Sequence, residues 1–96
     1  MTVILKNGLL SELRDFRLIK RKTAVVGGRK FTYCLFRVYS DSLGGYALVA
    51  CEDGYSELCT VTVGKVQAER IFSAVVRGGV APCSFKDVVR DMLLEI

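Results

Sequence analysis

Seven basic residues crowd the first third of this 96-residue chain: Arg14, Arg17, Lys20, Arg21, Lys22, Arg29 and Lys30, with Phe16, Tyr33 and Tyr39 close by in sequence. Cations interleaved with aromatic rings can hold phosphates and stack bases, which is the chemistry of nucleic-acid binding. The same pattern describes a solvated edge strand guarded against aggregation. The second reading is preferred, because the net charge is only +4 and no nucleic-acid motif accompanies the cluster.

Other chemistry is sparse. The chain has no His, which removes the His-based general base and the Ser-His and Cys-His pairs that activate most nucleophiles. No catalytic residue is assigned, and no cofactor. Asp87 and Asp91 stand one helical turn apart and could share a proton or a metal, but carboxylates at that spacing on a surface helix are ordinarily solvated. Gly64-Lys65 lacks the upstream glycine of a phosphate-binding loop. Cys34, Cys51, Cys59 and Cys83 lack the close pairing of a zinc knuckle, and three of them fall in apolar, strand-like runs. Buried, reduced thiols without metal are the expectation.

The elements that must position these residues follow from periodicity. Residues 13–63 read as an antiparallel sheet of about four strands. A half-exposed strand runs from Leu13 to Val26, with Gly27-Gly28 as a two-residue turn into a second strand, Lys30 to Ser40. A turn at Asp41 to Gly45 leads to a strand at Tyr46 to Cys51, and Asp53-Gly54 to another at Glu57 to Val63. Residues Met1 to Glu12 read as an arm or a short strand. From Lys65 to Ile96 the spacing turns helical, with Ala68, Ile71, Phe72, Val75 and Val76 on one stripe and Phe85, Val88, Val89, Met92, Leu93 and Ile96 on another. Gly78 or Gly79 can end the first helix, and Pro82 fits the first turn of the second. The expected fold is α+β, one domain over residues 1–96, with the antiparallel meander covered on one face by a C-terminal helical hairpin.

The run Val80-Ala81-Pro82-Cys83-Ser84-Phe85-Lys86-Asp87-Val88-Val89-Arg90-Asp91-Met92-Leu93 resembles the C-terminal signature of a small Firmicutes family, a domain of unknown function found mainly in Clostridia-like bacteria. Pro82, Phe85, Asp87, Val88, Val89, Asp91 and Leu93 match its pattern, while Ser84 stands where the family often has His and Met92 where it often has Phe. The tract Lys30 to Tyr39 resembles the family's central strand more loosely. The likeness implies a bacterial origin and this fold, and carries no mechanism.

Composition bounds the remaining choices. An apolar content of 51% and a mean hydropathy of +0.34 are high for so small a domain, whose core covers little of its own surface. No apolar run approaches the roughly 18 residues of a membrane span, and the N-terminus lacks a signal-peptide core, so the expected location is the cytoplasm, away from membranes. Charge is uneven: residues 1–37 carry a balance of +7, residues 38–64 of −4 and residues 65–96 of +1. The strand from Lys30 to Ser40 is apolar on both faces, with Phe31, Tyr33, Leu35 and Tyr39 on one and Cys34, Phe36 and Val38 on the other. One helical pair can cover only one of these. Which one the helices take stays open; with them on the side of Cys34, Phe36 and Val38, the face of Phe31, Tyr33, Leu35 and Tyr39 is the expected contact of a homodimer. The sequence points to a non-enzymatic cytoplasmic interaction or regulatory module that pairs with itself or with another protein. The alternative is a nucleic-acid-binding accessory protein that uses the basic cluster.

Overall fold

The computed structural model describes residues 15–39 and 45–94. Four strands come first, β1 (Asp15–Val26), β2 (Arg29–Tyr39), β3 (Gly45–Glu52) and β4 (Tyr55–Val61), followed by two helices, α1 (Lys65–Gly78) and α2 (Pro82–Leu94). The strands pair antiparallel in the order β1-β2-β3-β4, and both helices pack on the sheet: an α+β meander with a C-terminal helical pair, as the periodicity predicts. The expected arm over Met1 to Glu12, most of the turn before Gly45, and Ile96 lie outside the described residues.

The turn residues explain the connections. Gly27 and Gly28 both take positive φ, at 58° and 81°, the geometry that lets a two-residue turn follow the twist of its flanking strands. At the β3–β4 turn only Gly54 does so. Gly79 ends α1 in the left-handed conformation, its N–H reaching back to the carbonyls of Val75 and Val76. The helix α2 opens at Pro82, so Ser84 lies inside its first turn and is not its cap.

The helices cover the β2 face that carries Phe31, Tyr33 and Leu35. These pack with Tyr46, Leu48, Ala50 and Val61 of the sheet, with Ala68, Ile71, Phe72 and Val75 of α1, and with Phe85 and Val89 of α2. The expected dimer face is corrected accordingly. Phe31, Tyr33 and Leu35 are at most 2% exposed inside one chain, and Tyr39 alone of the four reaches solvent, at the end of the strand. Both β2 faces are apolar, so hydropathy alone could not tell which one the helices would take. The opposite face holds a second cluster, Phe36, Val38, Ala47, Val49 and Leu58, packed with Phe16, Cys34 and Cys51. Its five central side chains are no more than 6% exposed, while Leu18, paired with Phe36 on the same face, is 44% exposed.

One irregularity in β1 matters for the site. Leu18 pairs with Phe36 and Lys20 with Leu35, leaving Ile19 as an extra, unpaired residue, a β-bulge. Paired residues in a sheet share a face, and an extra residue switches the alternation. Arg17 before the bulge and Lys20 and Lys22 after it therefore stand on the helix side, opposite Arg37, Leu35 and Tyr33. Among the described residues no helix is long and apolar enough to cross a membrane.

Candidate functional site

β1 is an edge strand, twelve residues long, paired only with β2 among the described residues. No described strand pairs with its outer row of backbone N–H and C=O groups. Beside that edge runs a groove floored by the sheet and walled by α1. One hollow of ≈ 560 Å³ is lined by Lys20, Val66, Glu69, Arg70, Ser73 and Arg77. A second of ≈ 330 Å³ shares Lys20, Ser73 and Arg77 and adds Lys22, Phe72 and Val76. Arg70, Ser73 and Arg77 recur at three and four residues, which places them on one stripe of α1 facing the groove.

The electrostatics of the groove are one-sided. Its single carboxylate among the described residues, Glu69, sits 4.0 Å from the Lys20 ammonium. The remaining ion pairs among the described residues lie elsewhere: Arg29 with Glu52, Lys86 with Glu57, and Arg90 with Asp87. Lys22, Arg70 and Arg77 thus face the groove with no described carboxylate in ion-pair reach.

The basic line continues along β1 to Arg17, which stands directly opposite Arg37 of β2. Two cations in a cross-strand pair repel. Arg37 is held in place by tyrosines: its guanidinium lies 5.5 Å from the Tyr39 ring centre and 5.1 Å from that of Tyr46, and its Nη1 donates to the Tyr46 hydroxyl at 2.8 Å. Its Nε is buried with no hydrogen-bond partner. The arrangement holds two positive charges together with no described anion between them.

The structure divides the sequence-predicted basic cluster. Arg14 lies outside the described residues. Arg17, Lys20 and Lys22 stand on the helix side, and Lys20 and Lys22 line the groove. Arg21 pairs with Cys34 and therefore points to the opposite face. Arg29 is engaged by Glu52 through two bonds of 2.5 and 2.6 Å and lies over the Phe31 ring, so it belongs to the β2–β3 side of the sheet. That contact raises the Arg29 guanidinium above its usual range and holds the Glu52 carboxyl below its own. Lys30 lines a separate hollow of ≈ 510 Å³ at the β3–β4 turn with Thr32, Cys51, Asp53, Tyr55 and Ser56. The cluster is thus not a single patch. Arg70 and Arg77, which complete the groove, and Arg37, which extends the basic line opposite Arg17, are not singled out by the sequence. The stripe Arg70-Ser73-Arg77 was the available signal, but on a helix read alone it describes a solvated face.

The hollow at the β3–β4 turn offers little chemistry. Ser56 Oγ donates to Cys51 Sγ at 3.4 Å, and of the two carboxylates that line the hollow, Asp53 and Glu52, the latter is engaged by Arg29. Among the described residues no three His, Cys, Asp or Glu side chains come together as metal ligands. The expectation of buried thiols needs correction: Cys34, Cys51 and Cys59 are half-buried, and Cys83, in the first turn of α2, is exposed. Cys83 falls on the outer side of its helix, outside both hydrophobic clusters. Burial pushes the thiols of Cys34 and Cys59 above their usual range. Asp87 and Asp91 are exposed, and Asp87 pairs with Arg90 at 3.7 Å.

No protein-family model matches this chain, and no curated protein or solved structure shows significant similarity to it.

Proposed function

We propose that this protein is a non-enzymatic interaction module that binds an anionic partner along the β1 edge. One observation carries the reading. The β1 bulge and the α1 stripe bring Lys20, Lys22, Arg70 and Arg77 to one groove whose only carboxylate among the described residues is Glu69. Binding is then a matter of charge and shape and needs none of the groups that activate a nucleophile. The partner is a different molecule. Antiparallel pairing of two β1 edges about a two-fold axis would set Arg17, Lys20 and Lys22 against their own copies, and like charges placed across a sheet destabilise it. A cytoplasmic location, supported by four free cysteines, and kinship with the Firmicutes family are parts of the same proposal.

Nucleic acid is the alternative partner. It would satisfy the charge, but among the described lining residues the one aromatic, Phe72, is 2% exposed, and Tyr39, exposed beyond the groove, already carries the Arg37 guanidinium 5.5 Å from its ring centre. Retention on heparin, a generic polyanion, tests the reading. The parent should elute at clearly higher salt than Arg70→Glu/Arg77→Glu, with unchanged circular dichroism in the double variant. Equal elution of the two would remove the groove as the binding surface.

A further inference from the structure

We infer that the occupant of the groove is an extended acidic segment of another protein, added to β1 as a fifth strand of the sheet. This rests on the proposed function above and names the partner's chemistry.

Three features converge. First, the outer edge of β1, with which no described strand pairs, carries main-chain donors and acceptors along a twelve-residue strand, and sheet edges of this kind accept a further strand through backbone hydrogen bonds. Second, the side chains of an added strand would alternate, and every second one would project to the helix side, over Lys20 and Lys22 and against Arg70 and Arg77. Carboxylates at alternate positions would meet a cation at each step. At the Arg17 end, a carboxylate would enter between Arg17 and Arg37 and relieve their repulsion. Third, the helix wall of the groove is apolar where the half-buried Val76 and Val66, 69% exposed, line it. A segment that mixes acidic and small apolar residues suits this lining better than a phosphate backbone does. The like charge of its own β1 makes a second copy of this chain a poorer occupant than an acidic segment.

Charge alone would capture any polyanion, so the test has to separate strand addition from simple attraction. The probes are a capped twelve-residue peptide of alternating Glu and Val, the same peptide N-methylated at every second residue to remove its hydrogen-bonding edge, and a single-stranded oligothymidylate of equal charge. Binding is followed by fluorescence anisotropy and by hydrogen exchange of the β1 amides. The expected result is that the acidic peptide binds and slows exchange at alternate β1 amides at least tenfold. The N-methylated peptide should bind at least tenfold more weakly, and Arg70→Glu/Arg77→Glu should weaken the acidic peptide by a similar factor. Equal binding of the two peptides, or no change in β1 exchange, would overturn strand addition while leaving the basic groove as an anion-binding surface. Tighter binding of the oligothymidylate through the same arginines would replace the peptide by nucleic acid. If no probe binds but retention on heparin still depends on Arg70 and Arg77, only this inference falls; if that dependence is also absent, the proposed function falls with it.

Discussion

The hydroxyl of Tyr33, in the middle of the second strand, donates to the carbonyl of Val80 at 2.7 Å, in the joint between the two helices. The residues are 47 apart in sequence, and the bond closes the sheet onto the helical hairpin at the point where the chain reverses. Val80 follows Gly79, whose left-handed conformation turns this stretch of backbone toward the sheet. Tyr33 is 1% exposed, and its ring meets Phe31 edge-on at 6.4 Å between centres. One side chain thus fills the core and satisfies a carbonyl that the helices leave over.

Replacing Tyr33 by Phe should keep the packing and delete the bond. The expected cost is about 0.5–1.5 kcal/mol, somewhat more if the Val80 carbonyl stays dry. Urea denaturation followed by circular dichroism would measure it, and a midpoint equal to the parent's would mean that the bond contributes nothing net. Tyr33→Glu would place a charge in the same site and should unfold the domain outright.

The same burial sets a pH dependence. Tyr33 ionises above its ordinary value of 10.0 because burial opposes the phenolate, and Cys34 and Cys59 ionise above 9.0 mainly for the same reason. The folded chain therefore holds these protons more tightly than the unfolded one. The associated stability is fully present below the unfolded pKa values and is lost as pH rises through the folded ones. Stability should fall between about pH 8 and about pH 11, and the fall should be shallower in Tyr33→Phe at the upper end. Identical pH profiles for the parent and the variant would show that Tyr33 titrates in the folded state as it does when unfolded.

Much of this architecture is legible in the sequence, and what is not has physical causes. Gly27-Gly28 and Asp53-Gly54 mark two turns, Pro82 marks the start of the second helix, and the helical stripes through Ile71, Phe72, Val75, Phe85 and Val89 coincide with the buried positions. The face of β2 that meets the helices was not legible, because Phe31, Tyr33 and Leu35 on one side and Phe36 and Val38 on the other are equally apolar and equally buried. Nor was the site. Strict alternation would separate Arg17 from Lys20 and Lys22, and only the extra residue at Ile19 gathers them on one face. Arg70 and Arg77 join them by tertiary packing, which no local pattern reports.

The paired glycines at the end of the first helix should respond in opposite directions to alanine. A Cβ on Gly78 would meet only a Val80 methyl group at 3.6 Å, an ordinary contact. Gly78→Ala should therefore stabilise by up to about 1 kcal/mol through helix propensity and a stiffer unfolded chain. On Gly79 the φ of 59° is unfavourable for any side chain, and the Cβ would come within 2.6 Å of a Val26 methyl group. Gly79→Ala should cost about 1–3 kcal/mol. Thermal melts of both variants decide it, and the same sign for the two would contradict the assigned helix end.

The thiols offer a check on the sheet's second face. Cys83 is exposed, while Cys34, Cys51 and Cys59 are half-buried in the strands, with Cys34 and Cys51 packed against Phe36, Val38, Ala47, Val49 and Leu58. The thiolate is the reactive form, and burial that raises the pKa of Cys34 and Cys59 leaves less of it near neutral pH. Ellman's reagent should therefore label one cysteine quickly in the folded protein, the other three much more slowly, and all four in guanidinium. Cys83→Ser should abolish the fast phase and leave the slow one unchanged. Fast labelling of Cys34 or Cys51 in that variant would mean that the Phe36–Val49 face opens readily in solution, and would return it as a surface for self-association.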